Sequence, residues 1–257
     1  MATSIHPTAI IAPDVQLHPS VRVGPYTIIE TGVEIGEGSE IGPFVTIRSG
    51  TRIGRECRIF QYASIGEAPQ DLKYQGEATS TLIGDRVTIR EYVSINRGTA
   101  AHGQTEIGND VLLMTGVHVA HDCIVGDHVI FANLVTLGGH VRVEEWASLG
   151  GGVLVHQFCR VGQHCFVGGG FRIVQDVPPF ILAAEEPLTY KGINRVGLAR
   201  RGFSPEEIST LKRAYRLYFR SGMTRREALE EIKRSLADQP HIPSVIQFIE
   251  ASERGII

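Results

Sequence analysis

A chain of 257 residues is long enough for one or two domains with a sizeable core, and its formal net charge of −3 gives no overall bias toward nucleic acid or membrane. No apolar run approaches the roughly 18 residues of a membrane span. The start lacks a basic segment followed by an apolar one, so we predict no signal peptide, no integral membrane segment and a cytoplasmic location.

Large apolar residues recur every six positions from Ile5 to Ile173. On this ladder 26 of the 29 positions are large and apolar, and the exceptions are Asp71, Glu77 and Ala101. A second column, four residues after each ladder position, holds small or β-branched residues and all four cysteines. Alternation across a strand places both columns inside, whereas a helical period of 3.6 fits neither. The cysteines are therefore interpreted as buried wall residues.

This pattern predicts a mainly β fold, a parallel β-helix of hexapeptide repeats over residues 1–190. Known repeats of this kind are left-handed, and we expect that hand against the usual crossover rule. Glycine follows the ladder residue twelve times, as at Gly36 and Gly54, and we interpret these glycines as corners that need dihedral freedom. If three hexads form one coil, residues separated by three hexads stack on the same side.

Two segments interrupt the repeat and are predicted to be external loops, residues 66–82 and residues 96–106. The first is expected to preserve the stacking phase, because Ile65 and Ile83 are separated by the length of one three-hexad coil. Irregular insertions in a strict repeat often carry function.

Histidines gather where the repeat resumes, in the segment GVHVAHDCIVGD at residues 116–127. Stacking places His121, Gly139 and Gln157 in one slot of successive coils, about 4.8 Å apart. His118, His140 and His156 follow the same edge. An isolated surface histidine would carry little meaning, but four along one edge favour a functional site.

The repeat stops after Pro178–Pro179, and residues 191–257 are predicted to form a C-terminal helical domain. Ser204 to Glu207 reads as a capping box that opens a helix running to about Ser221. Thr224 opens a second helix and Pro243 a third. Ten basic and two acidic residues lie between Lys191 and Arg226, which favours an acidic partner over a merely solvated helix face.

Several motifs, taken in this order, resemble one family, the UDP-N-acetylglucosamine 3-O-acyltransferases that begin lipid A synthesis. The matching segments are QDLKY (70–74), HVAHDC (118–123), LGGH (137–140), VHQF (155–158), QDVPPF (175–180) and GIN…LARRGF (192–203). The hexapeptide repeat alone is shared by many acyltransferases. The likeness covers essentially the full length of the chain.

The resemblance implies transfer of an (R)-3-hydroxyacyl chain from acyl carrier protein to the sugar 3-hydroxyl. It implies His121 as general base, Asp122 as its orienting carboxylate and the Gly139 amide as oxyanion donor. Other implied substrate contacts are Gln70, Asp71, Lys73, His118, His140, His156, Gln157, Asn194, Arg200 and Arg201. Gly169 is implied to set acyl length, and its glycine-rich surroundings lead us to predict a long chain, of myristoyl length or longer.

The resemblance also implies a homotrimer with sites between neighbouring chains, and no cofactor or metal of the protein's own, since the phosphopantetheine belongs to acyl carrier protein. We expect that carrier to dock through Arg213, Arg216 and Arg220. Two positions depart from familiar members. Val196 stands where they have glutamate, and Pro187 where some have histidine.

Other functions are consistent with parts of the pattern. A γ-class carbonic anhydrase is also a hexapeptide trimer, and His118, His121 and His140 could imitate its zinc ligands. Such enzymes lack the QDLKY and GIN…RRGF segments. A β-helix scaffold or carrier-binding module would leave the histidine column unexplained. Acyl transfer to a 3-amino UDP-sugar remains open.

Overall fold

The computed structural model describes residues 4–257. The signal-peptide prediction depends partly on residues 1–3, which lie outside the described residues. Within this range 28 short strands build three sheets, the three faces of a helical prism, and four helices follow. All strand pairs are parallel except the last, β27 with β28.

The strands are numbered in chain order and fall on the faces in rotation. Face 1 contains β1 (Ser4–Ile5), β4 (Arg22–Val23), β7 (Glu40–Ile41), β10 (Arg58–Ile59), β13 (Thr88–Ile89), β16 (Leu112–Leu113), β19 (Ile130–Phe131), β22 (Ser148–Leu149), β25 (Phe166–Val167), β27 (Ile181–Ala184) and β28 (Thr189–Ile193). Face 2 contains β2 (Ile10–Ile11), β5 (Ile28–Ile29), β8 (Thr46–Ile47), β11 (Ser64–Glu67), β14 (Ser94–Asn96), β17 (His118–Val119), β20 (Thr136–Leu137), β23 (Leu154–Val155) and β26 (Arg172–Ile173). Face 3 contains β3 (Gln16–Leu17), β6 (Glu34–Ile35), β9 (Thr51–Ile53), β12 (Ser80–Ile83), β15 (Gln104–Ile107), β18 (Ile124–Val125), β21 (Arg142–Val143) and β24 (Arg160–Val161).

Three corners join the faces, and each carries a column of stacked side chains. The tyrosine corner, between faces 1 and 2, holds Tyr26, Phe44, Tyr62 and Tyr92. The histidine corner, between faces 2 and 3, holds His121, His140 and Phe158. The tryptophan corner, between faces 3 and 1, holds His128, Trp146, His164 and Phe180.

The predicted stacking of residues three hexads apart is confirmed by the strand register, in which Ile10 pairs with Ile28 and His118 with Thr136. The ladder and the small column fill the interior as predicted. All four cysteines are buried free thiols, and burial raises the pKa of Cys123 to about 12, so they act as wall residues.

The predicted phase of the first loop was wrong. Ile83 lies on face 3 and pairs with Ile53, which is five hexads earlier in the chain. It does not stack on Ile65, which lies on face 2. The first loop therefore lengthens its coil from three hexads to five. The second loop lengthens its coil to four hexads, because Ile83 pairs with Ile107. Both loops leave the prism at the histidine corner, between β11 and β12 and between β14 and β15.

The role assigned to the glycines that follow the ladder was also wrong, except at Gly66, whose φ is 78°. A Cβ at Gly36 would lie 2.8 Å from the Gly54 carbonyl carbon, so glycine is required there by the backbone of the next coil. The left-handed dihedral falls two residues later in the turn, and most residues there carry side chains. Asp122 and His140 occupy this position with φ of 59° and 61°.

The C-terminal helices begin where the capping motifs predict. Helix α2 (Pro205–Arg220) and helix α3 (Arg225–Leu236) each open with a complete capping box, and α4 (Ile242–Glu250) follows. The short helix α1 (Arg195–Arg200) was not predicted. The boundary predicted between residues 190 and 191 falls inside β28, so β-structure continues to Ile193. None of the helices in residues 4–257 has the length and apolar character to cross a membrane.

Candidate active site

His121 and Asp122 form the centre of the histidine corner. His121 Nδ1 lies 2.7 Å from Asp122 Oδ2. The same carboxylate accepts hydrogen bonds from the Thr99 amide, at 2.9 Å, and hydroxyl, at 2.7 Å. Burial by itself would raise the pKa of Asp122, but the hydrogen bonds from His121 and Thr99 outweigh it and hold that pKa below its usual value. Asp122 is therefore an ionised, fixed acceptor for the imidazole.

The left-handed turn makes this arrangement possible. Asp122 is only 4% exposed, and its amide donates to the Thr105 hydroxyl at 2.9 Å. Its carboxylate can therefore turn back toward the preceding histidine. The loop of residues 96–106 closes over it through Thr99, so this insertion holds the Asp122 carboxylate in place. Thr99 and Thr105 were not among the predicted site residues.

Gly139 lies against the imidazole of His121. A Cβ at this position would come within 2.5 Å of His121 Cε1 and 2.6 Å of Nε2, so no other residue fits without moving the ring. The Gly139 amide donates no hydrogen bond to any acceptor within residues 4–257. The His121 imidazole and a free backbone donor are thus neighbours, as the shared slot of the repeat predicts.

His140 and His118 stand on either side of this pair. The rings of His140 and His121 meet edge to face at 5.0 Å, and His140 stacks on Phe158 at 4.5 Å. Burial lowers the pKa of His140, and the Asp122 charge only partly opposes this. His118 Nδ1 contacts Ser94 Oγ at 2.7 Å, and burial lowers its pKa also. Both imidazoles are therefore neutral near pH 7.

The first loop supplies further predicted residues to the same corner. The charge of Asp71 influences the pKa of His140, which shows that the loop lies close to the histidines. The Asp71 carboxylate accepts from the Lys73 amide at 3.0 Å, while the Lys73 and Gln70 side chains are exposed. One coil further along, His156 and Gln157 are exposed on the same edge.

Other predicted residues lie elsewhere in the single chain. Asn194 is buried, caps α1 by accepting from the Gly197 amide, and donates to the His164 carbonyl. The Arg201 guanidinium lies 5.1 Å above Trp146 at the tryptophan corner. These residues, Arg200 beside them on α1, and Gly169 at the tyrosine corner are not brought to His121 within one chain.

The residues assigned to carrier docking and the two departures from the family pattern lie on the outer C-terminal part. Arg213, Arg216 and Arg220 are exposed on α2. Val196 is 62% exposed on α1, and Pro187 lies in the turn between β27 and β28. Neither departure contacts the histidine corner of its own chain.

One potential metal-binding group occurs among residues 4–257, namely His121, Asp122 and His140, whose ligand atoms lie within 4.8 Å of one another. It does not include His118, which pairs with Ser94 instead. The ligand set considered for a carbonic anhydrase is therefore not assembled in one chain.

Comparison with known proteins agrees with the geometry. Residues 176–257 match the family described as UDP N-acetylglucosamine O-acyltransferase, domain 2, and residues 104–139 match the bacterial transferase hexapeptide. The acyl-[acyl-carrier-protein]–UDP-N-acetylglucosamine O-acyltransferase of Janthinobacterium sp. is 51% identical, with 98% of both chains covered. That of Thiobacillus denitrificans is 47% identical over the whole of both chains.

Solved structures agree as well. The UDP-N-acetylglucosamine acyltransferase of Bacteroides fragilis superposes with a TM-score of 0.96 at 44% identity, covering 98% of this chain and 99% of that one. The enzyme from Francisella novicida gives 0.96 at 39% identity, covering 98% and 93%. The predicted left-handed β-helix is thereby confirmed. With its repeat, its helical tail and its full-length relatives, the chain belongs to the UDP-N-acetylglucosamine O-acyltransferase family and is an acyltransferase.

Proposed function

We propose that this chain transfers an (R)-3-hydroxyacyl group from acyl carrier protein to the 3-hydroxyl of UDP-N-acetylglucosamine, the first step of lipid A synthesis. Relatives about 50% identical over their full length carry the name of this reaction. The observation that supports it most directly is the His121 imidazole, held by Asp122 on one side and facing Gly139 on the other.

The proposed chemistry follows from this geometry. The Asp122 carboxylate accepts a hydrogen bond from Nδ1–H of His121, which leaves the Nε2 lone pair of that ring free to take the proton of the sugar hydroxyl. The hydroxyl oxygen attacks the thioester carbonyl, and the Gly139 amide stabilises the negative charge that develops on the carbonyl oxygen. The carbon–sulfur bond then breaks, and the protonated His121 returns its proton to the departing thiolate of the phosphopantetheine.

Proton transfer at His121 needs no cofactor of the protein's own. The phosphopantetheine arrives with the carrier, and no step above requires a metal. We propose the cytoplasm as the site of this reaction, where an acyl carrier protein and a nucleotide sugar would both be met.

A homotrimer would complete the site. Large exposed apolar residues lie on face 1 (Ile130, Phe166), on face 2 (Ile10, Leu154) and along the tyrosine corner (Tyr26, Phe44, Tyr62, Tyr92, Leu134). None of those found in residues 4–257 lies on a strand of face 3. Contiguous exposed apolar surface marks an interface, so we place the tyrosine corner on a threefold axis.

That placement explains where the missing site residues belong. Around a threefold axis, face 2 of each chain meets face 1 of the next, in a heterologous contact that closes into a ring. The histidine corner of one chain then faces the tryptophan corner of its neighbour, where Arg201 lies. The neighbour's Asn194, Arg200 and Arg201 would supply the nucleotide contacts in this arrangement.

Carrier docking is proposed on α2, because Arg213, Arg216 and Arg220 form an exposed basic surface. Attraction between opposite charges weakens with added salt. The Michaelis constant for acyl carrier protein should therefore rise with ionic strength. Reversing the charge of Arg216 and Arg220 should raise it at low salt, and an unchanged constant would place docking elsewhere.

The reaction itself can be tested with mixed acyl donors offered together with UDP-N-acetylglucosamine and its 3-amino analogue. Mass spectrometry should show one acyl group on the first sugar, released by mild base as an ester. Acylation of the amino sugar alone, as a base-stable amide, would contradict the proposal. Sedimentation of the purified protein tests the trimer in the same preparation.

A further inference from the structure

We propose that Arg254 and His156 form the binding site for the phosphate at the base of the donor's phosphopantetheine arm. This inference rests on the proposed function, since it identifies a contact for the donor of that reaction. Arg254 lies between α4 and the end of the chain, outside every motif that carries the family resemblance.

The Arg254 guanidinium sits at the histidine corner. Its Nη2 is 3.2 Å from Nδ1 of His156, and both side chains are exposed. Arg254 forms no ion pair among residues 4–257, so its charge is available to an anion from outside the chain. Nδ1 of His156 also lies 3.1 Å from the Gln157 carbonyl oxygen, and its Nε2 has no hydrogen-bond partner among residues 4–257, so this exposed ring is the second polar group beside the guanidinium.

The chain around Arg254 is fixed in place. The buried Asp176 accepts from the Ser252 hydroxyl at 2.7 Å, and its amide donates to the Gly255 carbonyl at 2.8 Å. Ile256 and Ile257 are 5% and 8% exposed. Arg254 is therefore presented by a short segment anchored on both sides, which lowers the entropy lost when an anion binds.

The distance from His121 to His156 along the histidine corner distinguishes the donor phosphate from the phosphates of the nucleotide sugar. Strand β23, which precedes His156, lies two coils beyond β17, which precedes His121, so the two sites are about 10 Å apart. A chain covers about 3.5 Å for every three bonds, so the thirteen bonds from thioester sulfur to phosphate span up to roughly 15 Å. By the same measure the five bonds from the sugar 3-oxygen to the nearest phosphorus span only about 6 Å. The second phosphorus of the nucleotide sugar lies two bonds further on, at about 8 Å, so both of its phosphorus atoms stop short of about 10 Å, whereas the donor arm spans that distance with length to spare.

The alternative path for the arm is the groove of about 1080 Å³ between face 3 and α4, which begins at His140 and Phe158. Five carboxylate residues and two arginines line it (Asp127, Glu144, Glu145, Asp176, Glu253, Arg142 and Arg160). This excess of negative charge opposes a phosphodiester. Arg160 already pairs with Glu144 and donates to the Ala251 carbonyl. Of the two arginines, only Arg142 is therefore left to bind a phosphate in this groove.

The test compares Arg254→Ala with the matched control Arg142→Ala, using three donors with the same acyl chain: acyl carrier protein, phosphopantetheine and pantetheine without phosphate. Arg254→Ala should raise the Michaelis constant for both phosphorylated donors about tenfold, the effect of losing a charge-assisted hydrogen bond. The constant for acyl-pantetheine and the turnover number should stay within twofold, which also shows that the variant folds. Arg254→Lys should recover part of the loss.

Three outcomes would overturn the assignment. They are an equal loss with all three donors, a change confined to the Michaelis constant for UDP-N-acetylglucosamine, and a larger effect from Arg142→Ala. If the unaltered protein transfers acyl groups from none of the three donors, the proposed function itself fails, and that result is distinct from the other three.

Discussion

The histidine corner and the tryptophan corner are built from the same repeat but differ in chemistry. His140 and His164 both occupy the left-handed position of their turns, with φ of 61° and 56°. The residue one coil before His140 is Asp122, whereas the residue one coil before His164 is Trp146. The residue at the same position of the preceding coil therefore determines whether the histidine lies against a carboxylate or an aromatic ring.

The consequences of that difference are electrostatic. His164 is 8% exposed between Trp146 and Phe180, and burial, together with the nearby Arg201, lowers its pKa to about 4. Its Nδ1 lies 3.4 Å from the Arg201 guanidinium. It is therefore a neutral support near pH 7. At the histidine corner, by contrast, His121 Nδ1 lies 2.7 Å from the buried carboxylate of Asp122.

The largest expected effect removes the base that distinguishes the two corners. His121→Ala should lower the turnover number at least roughly a hundredfold, because positioned acid–base groups contribute about 10² to 10⁴ in rate. Steady-state kinetics measure this, and sedimentation checks that assembly is kept. His128→Ala, the matched control at the tryptophan corner, should retain activity. Near-normal turnover in His121→Ala would exclude it as the base.

A somewhat smaller effect is expected from the glycine that faces the base. The Cβ of Gly139→Ala would push the His121 ring out of position, so turnover should fall at least tenfold, because a misplacement of about 1 Å in a reacting group can cost about 10² in rate. Gly151 holds the same slot at the tyrosine corner, where a Cβ would meet only the Asn133 carbonyl at 3.3 Å. Gly151→Ala should therefore leave turnover unchanged. Equal losses in both variants would indicate general damage to the turns.

The repeat explains how much of this site the sequence could predict. His121, Gly139 and Gln157 recur at the spacing of one coil, so periodicity alone places them in one slot. Thr99 was missed because it reaches Asp122 from an insertion, and no period relates an insertion to the coil it contacts. Thr105 occupies a regular small-column position on β15, which was assigned to the predicted loop of residues 96–106. Helix α1 was missed because it has only six residues. Its cap, Asn194, accepts locally from the Gly197 amide and also donates to the His164 carbonyl, a tertiary contact that the sequence does not show.

The stability of the tryptophan corner should depend on pH. The pKa of His164 is about 4 in the folded chain and about 6.5 when unfolded. Above about pH 6.5 the ring is neutral in both states. As pH falls from about 6.5 toward 4, the ring is protonated in the unfolded state but stays neutral in the folded state. Stability therefore declines over that window, by up to about 1.4 kcal/mol per pH unit.

Replacing this histidine should remove that part of the decline. Between pH 7.5 and pH 5.5, His164→Phe should lose about 1 kcal/mol less than the unaltered protein, as measured by denaturant unfolding at each pH. Carboxylates titrate alike in both proteins and cancel in the comparison. Parallel stability–pH curves would show that His164 is protonated as easily in the folded chain as in the unfolded one.

The smallest effect concerns the tyrosine corner, where Gly169 follows β25 and no side chain projects from residues 168–170. In the proposed trimer this corner lies at the inner end of the groove between face 1 of one chain and face 2 of the next, so an acyl tail that enters from the histidine corner could run toward it. Each buried methylene contributes about 0.8 kcal/mol, and a two-carbon step about 1.6 kcal/mol, or roughly tenfold in selectivity. Gly169→Met should therefore shift the preferred donor from a myristoyl-length or longer chain to a shorter one.

The geometry of Gly169 makes this substitution feasible but not free of strain. Its φ lies outside the left-handed region, and a Cβ would approach the Gly151 carbonyl oxygen at 2.9 Å, so the turn must shift slightly. Gly169→Ala carries the same Cβ without the long side chain and separates that shift from the filling of the groove. A series of acyl donors should show a shortened preference for Gly169→Met and the original preference for Gly169→Ala. If Gly169→Met keeps the original chain profile, the end of the acyl groove is set by another residue, because a side chain of that length cannot leave the volume beside this turn empty.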